Sequence, residues 1–215
     1  MNIKDYLLNL LYPSRCMLCR KVLRDTEKDL CILCRDKLPR YMTNEPRRDL
    51  DHIELCVSPF VYKDEVRSSL HRYKFNGVTA YGAIYADFIA KSIDENRISC
   101  DIISWVPLSR RRLRKRGYDQ AEIIARALAE RLGIPCVSLL IKVKNNKRQS
   151  SIGKREKRKA NVKGAYSFSG KEDIHGKAVL LVDDIVTTGS TLSECAGEIS
   201  KHGCTSVYAA TAASR

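Results

Sequence analysis

Two adjacent carboxylates, Asp183 and Asp184, end the aliphatic run Val179-Leu180-Leu181-Val182 and precede Thr187-Thr188-Gly189-Ser190-Thr191. Together they could recognise a sugar phosphate. Thr187, Thr188, Ser190 and Thr191 supply hydroxyl donors, and Gly189 lets the backbone approach an anion closely. Leu192 to Ile199 reads as a helix, whose free N–H groups and positive dipole end would face the phosphate. Carboxylates are poor phosphate ligands but accept well from vicinal hydroxyls, so the pair suits a ribose whose 5-phosphate lies in the turn. Capping of the next helix would explain Asp183 or Asp184 singly, but not the hydroxyl-rich turn beyond them. A Walker B strand would need a Gly-x-x-x-x-Gly-Lys-Ser/Thr partner, which this sequence lacks.

A second constellation is Cys16-x-x-Cys19, eleven residues, then Cys31-x-x-Cys34. Four thiolates in two knuckles suit tetrahedral Zn2+ and leave no position for water, so the expected role is structural. A segment of about fifty residues with few large apolar side chains needs such a staple. Two disulfides would require an exported chain, and a redox Cys-x-x-Cys does not ordinarily come in duplicate. Cys56, Cys100, Cys136, Cys195 and Cys204 are scattered and read as small hydrophobes. His52, His71, His175 and His202 show no metal-ligand spacing.

The chain has 215 residues, with 39 Lys+Arg against 25 Asp+Glu, a net charge of +14. The excess is concentrated. Arg110 to Arg116 carries +6, and Lys142 to Lys159 carries nine bases and one acid, so these two segments account for the whole excess. Isolated basic runs are commonly solvated faces, but two of them in a sugar-phosphate domain point to a polyanion. The nucleic-acid candidates are Arg112, Arg114, Lys115, Arg116, Lys147, Arg148, Lys154, Arg155, Lys157, Arg158 and Lys159, with Tyr73, Phe75 and Tyr118 as aromatics able to stack on bases. No apolar run approaches the ~20 residues that span a bilayer, so a soluble protein is expected. Met1 to Leu11 reads as an amphipathic helix packed on the body, with membrane-surface contact as the alternative.

The elements that must position these groups alternate. After a boundary placed near residue 50, Leu55 to Tyr62 reads as a strand, Glu65 to Tyr73 and Tyr81 to Ile93 as helices, and Ile102 to Val106 as a buried strand. Gln120 to Leu132 reads as a helix ended by Gly133 and Pro135. Val137 to Val143 reads as a strand and Lys144 to Lys163 as a long mobile loop or hairpin. Val179 to Val182 and Ser206 to Ala210 are strands flanking the last helix. The pattern predicts an α/β fold, a parallel sheet with helices on both faces, over residues 51–215, preceded by a zinc module over 1–50.

The thirteen residues Val179 to Thr191 resemble the binding loop of the type I phosphoribosyltransferases, which hold 5-phosphoribosyl-1-pyrophosphate (PRPP). With the zinc module, Val106-Pro107-Leu108, the arginine run and Arg116-Gly117-Tyr118-Asp119-Gln120 in order, nearly the whole chain resembles the ComF family. Gln149, Ile152, Asn161, Val162, Gly164, Ala165 and Tyr166 follow a further family pattern. The family commonly has Phe and Asn where this chain has Tyr118 and Asp119.

The resemblance implies a four-cysteine zinc finger joined to a phosphoribosyltransferase-like domain, associated with natural transformation and acting on the cytoplasmic side on single-stranded DNA. It implies that Thr187 to Thr191 hold the 5-phosphate, Asp183 and Asp184 the ribose hydroxyls, and Ser109, Arg110 or Arg111 the pyrophosphate, with Mg2+ entering alongside PRPP. A helicase-like competence ATPase is an implied partner, which the zinc module could dock. Nothing reads as a nucleobase hood, and no catalytic residue is assigned. A metabolic phosphoribosyltransferase with an unknown acceptor is the alternative function. About fifteen cations exceed what one pyrophosphate needs, which favours a polymer.

Overall fold

The computed structural model describes residues 13–43, 45–144 and 162–215. The helix expected over Met1 to Leu11, and Lys147, Arg148, Lys154, Arg155, Lys157, Arg158 and Lys159, lie outside the described residues. A short helix α1 (Ile32–Lys37) and a 3-10 turn (Leu38–Arg40) close the cysteine module. There follow β1 (Cys56–Val57), β2 (Phe60–Val61), α2 (Asp64–Phe75), α3 (Tyr81–Glu95), β3 (Ile102–Trp105), α4 (Arg110–Arg116) and α5 (Gln120–Leu132). The rest are β4 (Leu140–Lys142), β5 (Tyr166–Phe168), β6 (Ala178–Val186), α6 (Ser190–Ser200) and β7 (Ser206–Ser214).

The central sheet is parallel, in the order β1-β7-β6-β3, with β2 also paired to β7 beyond β1. The single strand expected over Leu55 to Tyr62 is therefore interrupted. Pro59 sits in the gap, where it cannot donate to a ladder. Val179, Leu180, Leu181 and Val182 are fully buried between two layers, and each such side chain contributes roughly 1.5–3 kcal/mol. On one face α2, α3 and α5 form a cluster through Leu70, Tyr85, Ile89, Ile124 and Leu128. On the other, Leu192, Cys195 and Ile199 of α6 pack with Leu140 and Tyr166 of the β4–β5 hairpin.

The strand expected over Val137 to Val143 is not continuous. Cys136 bridges Ile103 at the sheet edge and the Val137 N–H donates to the Ile103 carbonyl at 2.9 Å, but β4 then pairs antiparallel with β5. Leu139 and Leu140 are both buried in the same cluster. In one flat strand their side chains would point to opposite faces, so the backbone must turn between them.

The cysteine module is fused to this body rather than tethered to it. Met17, Leu18 and Leu30 share one apolar cluster with Val66 and Leu70 of α2. Met42 and Arg47 form antiparallel bridges to Phe60 of β2 and Cys56 of β1. No helix among the described residues is long and apolar enough to cross a membrane.

Candidate functional site

After β3 the chain crosses to the Cys136 edge, and after β6 it crosses to β7 on the opposite side. The crevice between the carboxyl ends of β3 and β6 is therefore the topological switch point, where open α/β sheets bind ligands. Its walls are Val106-Pro107-Leu108 after β3, the acids at the end of β6, and α4.

Gly189 takes φ +75° as the N-cap of α6, and no side chain caps that helix. The first-turn N–H groups of α6 thus face the turn formed by Thr187 to Thr191, beside a hollow of about 40 Å³. Thr188 Oγ1 and Ser190 Oγ lie 3.1 Å apart, so two hydroxyls converge on the turn. Thr187 is exposed and Thr191 half-buried. Arg47 donates through Nη1 to the Thr187 carbonyl at 2.8 Å, which ties the turn to the segment leading out of the cysteine module.

Asp183, Asp184 and Thr191 line a second hollow of about 170 Å³ with Lys74, Arg112, Arg116, Lys142, Asp119 and Tyr166. The Asp184 N–H donates to Asp183 Oδ1 at 2.8 Å, and Lys74 Nζ pairs with Asp184 Oδ2 at 2.9 Å. Burial and then the neighbouring Asp184 push the Asp183 carboxyl well above the usual carboxylate range, opposed by Lys74. Lys142 donates to the Tyr166 hydroxyl at 2.7 Å, and burial followed by Arg112 pulls its pKa down. Asp119 is the N-cap of α5. It accepts from the N–H groups of Leu108 at 2.7 Å, Ala121 at 3.1 Å and Glu122 at 3.5 Å, while burial raises it to about 6.

Four cations thus meet three carboxyl groups in one hollow. The arrangement suits a ligand that presents vicinal hydroxyls and more than one phosphate. Ser109 is buried, and its hydroxyl caps α4 by accepting from Arg112 N–H at 3.4 Å. Arg110 and Arg111 are exposed on that helix, and Arg114 and Lys115 are exposed beside them. Arg112, also exposed, and the half-buried Arg116 line the hollow. Lys74 and Lys142 were not singled out by sequence reasoning. Lys74 ends a helix and Lys142 begins a basic segment, so spacing gave no sign that either faces the acids.

Of the three aromatics, Tyr73 is fully buried and donates to the Gln120 carbonyl at 2.7 Å. Tyr118 donates to the Tyr73 carbonyl. Phe75 alone of the three is open, 46% exposed, with the Arg116 guanidinium 4.8 Å from its ring centre and His71 on the ring as well.

The Sγ atoms of Cys16, Cys19, Cys31 and Cys34 lie within 4.8 Å of one another, and Cys19 and Cys31 are 3.6 Å apart. A tetrahedron with Zn–S near 2.3 Å has edges of about 3.8 Å, so the four thiols fit that ion. Burial raises the thiols of Cys56 to about 12 and of Cys100 and Cys136 to about 11, as befits inert packing residues.

The family model described as a phosphoribosyl transferase domain matches residues 117–215, and that described as a double zinc ribbon domain matches residues 7–47. In those forty-one residues this chain has one set of four cysteines. The chain is similar to Competence protein F of Haemophilus influenzae, 37% identical over 100 residues, covering 46% of this chain and 43% of that protein. It is 28% identical over 217 residues to DNA utilization protein YhgH of Salmonella typhi, covering 91% of this chain and 94% of that one. It is 26% identical over 188 residues to Competence protein ComFC of Bacillus subtilis, covering 82% and 74%. The chain thus spans less than half of the Haemophilus protein and nearly all of YhgH.

Proposed function

Because the chain belongs to the ComF family of competence and DNA-utilization proteins, we propose that it handles incoming single-stranded DNA on the cytoplasmic side and binds PRPP in the hollow at the switch point. The observation that carries this reading is the meeting of the Asp183–Asp184 pair, the uncapped start of α6 and four cations in one crevice. Thr187 to Thr191 would take the 5-phosphate, the acids the ribose hydroxyls, and Arg112, Arg116 and Lys142 the pyrophosphate. Ser109 would then act by holding α4. Mg2+ would enter with PRPP beside Asp183 and Asp184, where it would offset the charge of the phosphates.

The DNA half of the proposal rests on α4. No residue of this helix is buried; it turns Arg112 and Arg116 toward the hollow while Arg110, Arg111, Arg114 and Lys115 face solvent. A strand tracking those cations would pass over the mouth of the PRPP site, with Phe75 as a stacking surface. A helicase-like ATPase of the uptake machinery is the protein partner this role calls for.

The test is fluorescence anisotropy of labelled single-stranded DNA across a salt series, with and without Mg2+ and PRPP. Binding that survives physiological salt and shifts with PRPP supports the proposal. Binding that vanishes at modest salt and ignores PRPP favours a metabolic phosphoribosyltransferase, a reading to which the cation-lined hollow also lends support. Calorimetry of PRPP against Asp183→Ala/Asp184→Ala tests the ligand separately, and unchanged affinity would remove the assignment.

A further inference from the structure

The last turn of α2 sends consecutive side chains to separate parts of the molecule. Arg72 donates through Nη2 to the main-chain oxygens of Met17 and Leu18, each at 2.7 Å. Both carbonyls lie inside the Cys16-x-x-Cys19 knuckle, where chelation at either end fixes the intervening backbone. Two residues on, Lys74 pairs with Asp184 at 2.9 Å, with side chains 20% and 13% exposed. Between them, Tyr73 anchors the turn to the start of α5. A second strut reaches the phosphate turn from the same side, through Arg47 on the Thr187 carbonyl and Leu50 against Gly189.

We infer that the zinc ribbon is a working part of the sugar-phosphate site: Arg72 is a positioning residue that fixes the end of α2 against the knuckle, so that Lys74 holds Asp184 where the ribose hydroxyls meet it. The inference rests on the PRPP reading above. It gives the ribbon a task besides contact with DNA or a protein partner. A charge-assisted bond to two carbonyls is directional, and rotation of the turn by a fraction of a residue would carry Lys74 off the carboxylate. Fold stability alone would require Arg72 to lower only the melting temperature when replaced.

The experiment uses the zinc-loaded full chain. PRPP with Mg2+ is titrated by calorimetry into wild type, Arg72→Met, Arg72→Lys, Lys74→Met and the Arg72→Met/Lys74→Met double variant, with zinc content measured on each. The expected result is binding about tenfold or more weaker in each single variant with zinc retained, and a double variant no weaker than Lys74→Met alone, since both act through one contact. Arg72 variants that bind as wild type, or single losses that add in the double variant, would overturn the inference. If Arg72→Met does not fold, Arg72→Lys and the reciprocal measurement decide. By linkage, saturating PRPP should raise zinc affinity several-fold in an equilibrium competition with a chelator in wild type and not in Lys74→Met. Equal zinc affinities with and without PRPP in wild type overturn the inference too. A wild-type protein that takes up no PRPP removes the parent reading itself, and this one with it.

Discussion

The side chain of Leu50 lies against Gly189 so closely that a β-carbon on Gly189 would collide with Leu50 Cδ2. Gly189 also holds φ +75°, a conformation that costs an L-residue about 1–2 kcal/mol. Gly189→Ala should therefore lower the melting temperature by several degrees and weaken PRPP binding, because Leu50 or the turn must shift to admit the methyl group and the backbone at Gly189 is strained. Adding Leu50→Ala removes the collision but not the backbone strain. The double variant should regain part of the melting temperature in a differential scan, and no recovery would mean that Leu50 does not constrain the turn.

Asp119 makes stability depend on pH in an unusual sense. Burial raises its carboxyl from 3.8 to about 6 in the fold, against the pull of the Leu108, Glu122 and Ala121 N–H groups. The folded state then binds the proton more tightly than the unfolded chain. This contribution is fully present below pH 4 and is lost as the pH rises through 6, on the order of 2–3 kcal/mol. Asp119→Asn, the residue common in the family, cannot ionise. Denaturant melts at pH 4, 5, 6 and 7 should show wild type losing stability relative to Asp119→Asn across that range. A difference independent of pH would show that Asp119 does not titrate there.

The long helices and buried strands were legible because their periodicity is local: α5 runs from Gln120 to Leu132 as expected, and α3 and β3 lie within a few residues of their sequence boundaries. In sequence, Arg110 to Arg116 reads as charge alone. Its apolar content is a single Leu113, so no amphipathic stripe marks it, yet the Ser109 cap and Gly117 at φ +81° enclose a helix. Strand β5 escaped notice because three residues, Tyr166 to Phe168, carry too short an alternation. The phosphate turn and the cysteine set were readable because their chemistry sits in contiguous residues. Lys74, Lys142 and Arg47 reach the site across 110, 41 and 140 residues of chain, to Asp184, Asp183 and Thr187 respectively. Tertiary folding alone brings such pairs together.

Only the ribbon cysteines should matter for metal. Cys34→Ser removes one of four thiolates, and zinc content should fall from one per chain to near zero, with a lower melting temperature. Cys100, raised to about 11 by burial, stays a neutral thiol at pH 7. Cys100→Ser should retain the full zinc stoichiometry in a colorimetric release assay, and a loss there would place the metal elsewhere.

Phe75 and the outer face of α4 should contribute to DNA binding in different ways, and salt separates them. Arg114 and Lys115 are exposed on α4, so each would meet a phosphate, and neutralising one contact changes the log–log salt slope for a single strand by about 0.7. Phe75, open beside Arg116, would stack on a base, and stacking releases no counterion. Arg114→Gln and Lys115→Gln should flatten the slope, each by about one contact. Phe75→Ala should weaken binding about tenfold at every salt concentration, within the ~1–3 kcal/mol that one stacked base contributes, and leave the slope unchanged; Phe75→Tyr should restore affinity. An oligonucleotide with abasic sites should bind wild type as weakly as the full oligonucleotide binds Phe75→Ala. Equal affinity of wild type for the two oligonucleotides would show that Phe75 meets no base and that the strand is held through its phosphates alone.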